Sequence, residues 1–330
     1  MTKFIIKRLL LSVLILFFVM LLIYTIMYSM PTSYVEKTAR ELAQRPGSLK
    51  SAEQWLAELN AQYGMDRGIL GGYFHWIRHS LFTGDFGESW YWTVDVTEKF
   101  QDSVWTSFAL GAIAFVLQII IAIPLGVIAA RKQYSVTDYS VTVVSMICIS
   151  MPTFFVATLL KLVFSVKLGW LDISGMQGRD YLNLSAFGQF MDRAEHLIMP
   201  AMTLTIIGIG SLMRYTRTNM LEVLNADYIR TARAKGLPES KVINYHAFRN
   251  TLIPIVTIVG GSLPGLFSGA LITETLFAIP GIGYASYHSM IGGDIPFSMF
   301  YLTFLSVLTL AGNLLSDILY AVVDPRVRIA

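Results

Sequence analysis

Residues 104–130 read VWTSFALGAIAFVLQIIIAIPLGVIAA and contain no charged side chain. As an α-helix, a stretch of this length rises about 40 Å, which exceeds the hydrocarbon thickness of about 30 Å in a typical bilayer. Helices in the cores of soluble proteins rarely contain an uncharged apolar stretch of this length. The stretch therefore predicts a transmembrane helix.

The chain contains further stretches of the same kind. We predict six spans, at residues 9–30, 104–130, 139–164, 197–213, 252–277 and 297–323. Charged residues make up only 14% of the chain, against about 25% in soluble domains. The first stretch is too long for a secretory signal and lacks a small-residue cleavage site, so an uncleaved anchor is expected. The predicted fold class is an all-α polytopic membrane protein.

Lysine and arginine are distributed unevenly between the predicted loops. With a cytoplasmic N-terminus, 14 of them face the cytoplasm and 3 lie in the short outside loops. The 31–103 loop is excluded from this comparison because the positive-inside rule holds only for short loops. The distribution predicts that both termini are cytoplasmic, including a tail at 324–330 that carries Arg326 and Arg328.

Residues 31–103 are polar and differ from the rest of the chain. SAEQWLAELNAQYG, at 51–64, has the pattern of an amphipathic helix, and Trp76, Trp90 and Trp92 follow in an aromatic-rich stretch. Tryptophans beside a span favour the membrane interface. His75 and His79 have the i, i+4 spacing of a zinc pair, but further ligands are missing. We predict a small extracytoplasmic cap without a metal site.

The segment DYIRTARAKGLPESKVINYHAFRN, at 227–250, interrupts the apolar sequence with a basic loop. Asp227 is a predicted N-cap, Gly236 a predicted stop, and Pro238 a predicted start of the next helix. A helix over 228–235 is about 12 Å long.

The residues of this short helix are of three types: apolar (Tyr228, Ile229), small (Ala232, Ala234) and basic (Arg230, Arg233, Lys235). One interpretation is that the positive-inside rule alone places charge here. Charge alone does not require small residues, a cap and a glycine stop in order. The pattern therefore favours a docking element whose small residues admit another backbone and whose arginines reach carboxylates or carbonyls.

The fifth predicted span is rich in glycine and proline. Gly261, Gly265 and Gly269 recur every four residues, with Pro264 among them. Such stripes usually permit tight helix packing. The alternative is a bendable segment that lines a pathway, because proline in a span frees backbone groups that neighbours or water must satisfy.

Three ionisable residues fall within the predicted spans. They are Lys161, Glu274 and Asp317, and charge at a helix centre costs about 2.5–3.5 kcal/mol on insertion scales. Lys161 and Glu274 lie near outer ends and can reach the interface. We predict Glu274 and Asp317 as pathway or gate residues. Residues 279–283, IPGIG, then predict a break before a short outer helix at 284–291.

The sequence resembles a known family at several separated places. YIRTARAKGL followed by HAFRNTLIP resembles the cytoplasmic EAA loop of ABC importer permeases, in the branch that serves di- and oligopeptides and, in some members, nickel. ETLFAIPGIGYASYHSMIGGDIPFSMF, NLLSDILYAVVDPRVR and YGMDRGILGGYFHWIRHSLFTGDFGESW are also similar to this branch. One departure is that Arg230 stands where the broader loop has its glutamate.

The resemblance implies a type I importer permease fold with an insertion after the first helix. The implied domains are an anchor at 1–30, a cap at 31–103, a five-helix core at 104–323 with the coupling loop 214–250, and the tail. The resemblance implies that Asp227, Tyr228, Ile229, Arg230, Ala232, Arg233, Ala234, Lys235 and Gly236 contact an ATPase subunit. Gly261, Pro264, Gly265, Glu274 and Asp317 are the predicted pathway or gate residues.

The resemblance also implies the partners and the location. They are a second homologous permease, two ATP-binding subunits, an extracytoplasmic binding protein and membrane lipid, in a bacterial inner membrane. ATP and Mg²⁺ would bind the partner ATPases, since this chain has no phosphate-binding loop and no predicted cofactor. No nucleic-acid partner is predicted.

Two alternatives to a peptide importer remain. One is a nickel or nickel-chelate permease of the same family. The other is a stand-alone ion-coupled carrier or membrane enzyme, for which the predicted spans offer neither a Ser-His nor a paired-aspartate arrangement and no inverted repeat.

Overall fold

The computed structural model describes residues 2–29, 33–46, 49–62 and 65–323. The predicted tail at 324–330 lies outside the described residues. Within them the chain is helical. The α-helices are α1 Thr2–Tyr28, α2 Ser33–Gln44, α3 Ala52–Gln62, α4 Gly68–Thr83, α5 Val96–Arg131, α6 Val136–Ser150, α7 Thr153–Leu160, α8 Ala186–Leu224, α9 Asp227–Ala234, α10 Glu239–Lys241, α11 Phe248–Ser262, α12 Leu271–Phe277, α13 Ile282–Ile291 and α14 Ile295–Val323. Short 3₁₀ turns occupy Met65–Arg67, Tyr181–Asn183 and Pro264–Phe267, and π-helical turns occupy Lys161–Lys167 and Val242–Ala247.

Four of these helices are long and apolar enough to cross a membrane. They are α1, α5, α8 and α14, and the number rises to six if each of two bent helix pairs counts as one span. The all-α membrane architecture predicted from the apolar stretches is confirmed. The amphipathic helix expected within 51–64 is α3, and the short outer helix expected at 284–291 is α13, which begins two residues earlier.

The predicted span 139–164 is not one continuous helix. α6 ends at Ser150, and the next helical segment departs from it by 103°. The cause is Pro152, whose ring disfavours helical backbone at the preceding residue. Met151 is accordingly extended, with φ −76° and ψ 128°.

The predicted span 252–277 is interrupted as well. The segments Glu239–Leu252 and Pro254–Phe267 meet at 45°, since proline removes a helical hydrogen bond and crowds the preceding turn. α11 ends at Ser262, and α12 begins only after Gly269, whose φ is +80°. Gly269 therefore lies outside any helix, so Gly261, Gly265 and Gly269 do not form a stripe along one helix face, and the predicted stripe is wrong.

The chain forms two compact units, the first of which comprises Met1–Ser103 and Ala285–Leu310. Its core brings Tyr24 together with Tyr73 and Trp76, and the Tyr73 hydroxyl donates to the Phe17 carbonyl at 2.6 Å. Trp76 is only 4% exposed. The prediction that Trp76 anchors the membrane interface is therefore wrong, because the ring fills a protein core.

The second unit comprises Val104–Tyr284 and Ala311–Ala330. Within it α6, α7 and α11 all pack against α8. α8 contains 39 residues and continues without interruption well beyond the predicted span 197–213. This long helix carries the basic loop at its C-terminal end, and its length makes it a stiff connection to that loop.

Candidate functional site: the α9 element and the Glu274 network

The short helix predicted in the basic loop is present as α9. The backbone turns at Ala226, which is extended with φ −71° and ψ 148° and precedes the first helical residue, Asp227. The prediction that Asp227 caps the helix is wrong. Its carboxylate lies in the first turn, where the helix dipole favours negative charge, and it lies 3.5 Å from the Arg230 guanidinium.

The predicted stop at Gly236 is confirmed. Gly236 has φ +72°, and its N–H donates to the Arg233 carbonyl at 2.9 Å. A left-handed residue after a helix is the usual way to satisfy terminal carbonyls, and glycine adopts it without a Cβ penalty. Pro238 then precedes α10, also as predicted.

One face of α9 packs against its own chain. Ile229 is 0% exposed and Ala232 is 7% exposed, and both lie in a core with Met220, Val242 and Ala247. The expectation that Ile229 offers apolar area to a partner, and that Ala232 admits a foreign backbone, is therefore wrong. Both residues hold α9 against the segments that precede and follow it.

The opposite face of α9 is exposed. Tyr228 is 47% exposed, and Arg230, Ala234 and Lys235 are exposed as well. Burial of part of its ring raises the pKa of Tyr228, so the phenol stays neutral at physiological pH. This face combines a neutral aromatic ring, a small residue and positive charge.

Arg233 connects α9 to α10. Its guanidinium donates two hydrogen bonds to the Glu239 carboxylate, at 2.8 and 3.2 Å. These bonds raise the pKa of Arg233 above its ordinary value. The pair fixes the angle between the two short helices across the Gly236 turn.

A second ion pair, not foreseen from the sequence, lies where α6 begins. Arg217 on α8 donates to both carboxylate oxygens of Asp138, at 2.5 and 2.8 Å. The Tyr134 N–H donates to the same carboxylate at 3.0 Å. The sequence alone does not reveal this pair, because Arg217 and Asp138 are 79 residues apart.

Glu274, predicted in a pathway or gate, is 0% exposed. Its oxygens accept from the Ser107 hydroxyl at 2.7 Å, the Ala270 N–H at 2.8 Å and the Tyr284 N–H at 2.9 Å. The Ser107 hydroxyl accepts in turn from the Ile282 N–H at 2.7 Å. The suggestion that Glu274 reaches the interface is wrong, since the carboxylate joins α5, α12 and the start of α13 inside the protein.

The other predicted pathway residues are scattered. Gly261 lies against α14, where an added Cβ would be 2.9 Å from the Ser316 Cβ. Pro264 begins a 3₁₀ turn, and Gly265 faces open space. Asp317 is half-buried on α14. The structure does not bring these residues together around Glu274.

His75 and His79 both lie on α4, and the His79 Nε2 lies 3.4 Å from a carboxylate oxygen of Asp85. The rings of His75 and His79 stack with centroids 6.5 Å apart. No group of three or more His, Cys, Asp or Glu side chains suited to a metal occurs among the described residues.

These features define a helical membrane protein with a short basic helix, α9, between its long apolar helices. Residues 122–329 match the family model described as the binding-protein-dependent transport system inner membrane component, and residues 1–122 match the model of its N-terminal region. The chain belongs to this family of inner-membrane permeases. It is a multi-pass transport subunit of a system that also has a binding protein and an ATPase.

Curated relatives match nearly the whole chain. The oligopeptide transport system permease protein AppB of Bacillus subtilis is 35% identical over 329 residues, covering 99% of this chain and 100% of the relative. The dipeptide transport system permease protein DppB of Escherichia coli K12 is 34% identical over 82% of this chain and 85% of its own. The oligopeptide transport system permease protein OppB of Haemophilus influenzae is 32% identical, covering 91% and 96% respectively.

Proposed function

We propose that this chain forms half of the translocation path of an ATP-driven importer of di- and oligopeptides. Support for the peptide substrate comes from the relatives, which are named as oligopeptide and dipeptide permeases. The other half of the path would be a second, homologous permease. Two ATP-binding subunits would carry ATP and Mg²⁺, and an extracytoplasmic binding protein would deliver the peptide.

The outward face of α9 is the proposed contact with an ATPase subunit. The observation that carries this proposal is the division of α9 into a buried face at Ile229 and Ala232 and an exposed face at Tyr228, Arg230 and Ala234. The buried face of α9 packs against Met220 on α8 and against the π-helical turn that leads into α11. A displacement of the exposed face would therefore be transmitted to both helices. Both termini would face the cytoplasm, as the lysine and arginine distribution indicates.

We propose a gating role for the interrupted segment after α11. Pro264 and Gly265 lie where the helix has already ended, and Gly265 has free space around it. Glu274 would contribute to the gate by fixing the α12–α13 connection in place. Asp317 remains a candidate for the path on α14.

Cysteine cross-linking tests the contact with the ATPase. The single cysteine of the chain, Cys148, is buried, so it gives little background. Ala234→Cys on the outward face of α9 should cross-link to an ATPase subunit in the assembled importer. Lys132→Cys, exposed on the other cytoplasmic loop, is the control. Absence of a cross-link from Ala234→Cys in an active importer would contradict the proposed contact.

Uptake assays test the substrate. In host cells that lack their own peptide permeases, the complete importer should accumulate a radiolabelled dipeptide and oligopeptide. Uptake of nickel without uptake of either peptide would favour the nickel branch instead. Uptake by the isolated chain, without an ATPase subunit, would favour a stand-alone carrier.

A further inference from the structure

A cavity of about 280 Å³ lies between α6 and α8. α6 contributes Val141, Thr142 and Met146, and α8 contributes Met213, Arg214 and Arg217. The lining also includes Ser145 and Thr218, so it combines two guanidinium groups, three hydroxyl groups and apolar side chains in one small space. Neither the docking helix nor the proposed path uses these residues.

The charge of this cavity is positive. Arg217 is neutralised by its two hydrogen bonds to Asp138. Arg214 is exposed, and its guanidinium has no hydrogen bond or ion pair to any other residue in the part of the chain that the structure describes. An exposed guanidinium without a carboxylate partner suits an oxyanion, and phosphate is the anion that arginine recognises best through paired hydrogen bonds.

The position of the cavity along its two helices indicates where the anion comes from. The apolar sequence of one predicted span begins at residue 139 and that of another ends at 213, so Arg214 lies at the membrane boundary on the predicted cytoplasmic side. Tyr139 and Val143 are 60% and 54% exposed on α6. Exposed apolar side chains next to a cationic cavity suit a ligand with both acyl chains and a phosphate.

We propose that this cavity binds the headgroup phosphate of an anionic glycerophospholipid from the cytoplasmic leaflet. Arg214 holds the phosphate, Arg217 and Thr142 border it, and Met146, which is 52% exposed, contacts the glycerol and the upper acyl chains. Basic pockets between transmembrane helices on the cytoplasmic side are known to hold anionic headgroups. The lipid would lie beside the Asp138–Arg217 pair and restrain α6 against the helix that leads to α9.

Native mass spectrometry of the assembled importer tests this site. The importer is equilibrated with phosphatidylcholine vesicles that contain phosphatidylglycerol, extracted, and examined for retained phosphatidylglycerol. Arg214→Gln should lose one retained phosphatidylglycerol per assembly. Val141→Trp, which fills the cavity without changing the charge, should lose the same molecule. A thermal midpoint equal to that of the wild type shows that each variant is folded.

Arg249→Gln is the matched control, because Arg249 is an exposed arginine of the same cytoplasmic loop outside the cavity. It should retain the lipid. Equal losses from Arg214→Gln and Arg249→Gln would show that only diffuse charge attracts the lipid and would overturn the proposal. Displacement of phosphatidylglycerol by added inorganic phosphate would identify a soluble anion as the ligand and would also overturn it. Neither result bears on the peptide substrate.

Discussion

α9 and the Glu274 network are both small, well-fixed regions of the same unit, but they are fixed in different ways. Contacts that hold α9 are mostly apolar, and many come from neighbouring segments of the chain, such as Met220 and Val242. The Glu274 network is polar, with Ser107 and Glu274 buried, and it joins residues as far apart as Ser107 and Tyr284. In α9, a single substitution should therefore remove only the contacts of that residue. In the Glu274 network, a single substitution should weaken all the hydrogen bonds, because each depends on the others.

The largest effect is expected from Glu274→Ala. The substitution removes the acceptor of the buried Ser107 hydroxyl and of the partly buried N–H groups of Ala270 and Tyr284. Each such loss costs about 1–3 kcal/mol, so the free energy of unfolding should fall by about 3–9 kcal/mol. The measurement is thermal unfolding of the purified importer in detergent.

Thr273→Val is the matched control for this substitution. Thr273 lies on the same helix and is 1% exposed, but its hydroxyl has no partner among the described residues. Replacing an unsatisfied hydroxyl by a methyl group of similar size should leave the stability unchanged or raise it. If Glu274→Ala and Thr273→Val behave alike, the network does not hold the α12–α13 connection.

The second effect concerns the apolar seat of α9. Ile229→Ala removes a fully buried side chain and should cost about 2–5 kcal/mol of local stability. Hydrogen exchange of residues 227–236 should become faster, because α9 can then separate from Met220 and Val242. Exchange in the Glu274 region should stay unchanged, which would show that the two regions are independent.

Tyr228→Ala on the adjacent, exposed position is the control for Ile229→Ala. It should leave hydrogen exchange of α9 nearly unchanged, since surface substitutions usually alter stability by less than about 0.5 kcal/mol. It should nevertheless weaken the association with the ATPase subunit if α9 docks as proposed. Equal exchange rates in both variants would contradict the assignment of an inner and an outer face.

A third, smaller effect is the loss of stability on replacing glycine by alanine, which should differ between α9 and the Glu274 network. Gly236→Ala meets no atom within 4 Å, so only the left-handed backbone opposes it, at about 1–2 kcal/mol. Gly269→Ala near the Glu274 network should cost more, because its Cβ would also lie 2.5 Å from the Gly283 nitrogen. Gly265→Ala, with open space and no positive φ, should be neutral. The thermal midpoints should follow this order.

Some local features of the molecule could be predicted from the sequence, whereas its long-range contacts could not. The glycine stop at Gly236 and the start after Pro238 depend on adjacent residues, and both are confirmed. The inner and outer faces of α9 depend on what packs against it, so Ile229 was assigned to the wrong side. The apolar stretches predicted six spans, a number that the structure reaches only if each bent helix pair counts as one span. The break at Pro152 was missed because hydropathy outweighed a single residue.

The Glu274 network was the least predictable part of the site. A glutamate within an apolar stretch indicates that something must compensate its charge. The sequence does not reveal that the compensation comes from Ser107, 167 residues away. The Asp138–Arg217 pair was missed for the same reason, since nothing local distinguishes Arg217 from the other basic residues of the loop.

The smallest expected effect is that of the Arg233–Glu239 pair, which crosses the Gly236 turn. Both side chains are about half exposed, at 43% and 54%, and such pairs contribute about 0.2–1 kcal/mol. A double-mutant cycle with Arg233→Gln and Glu239→Gln should give a coupling energy in this range, decreasing as salt is added. A coupling energy well above it would mean that the pair, rather than the burial of Ile229, holds α9 in place. α9 and the Glu274 network would then be held in a similar way, because polar interactions would fix both regions.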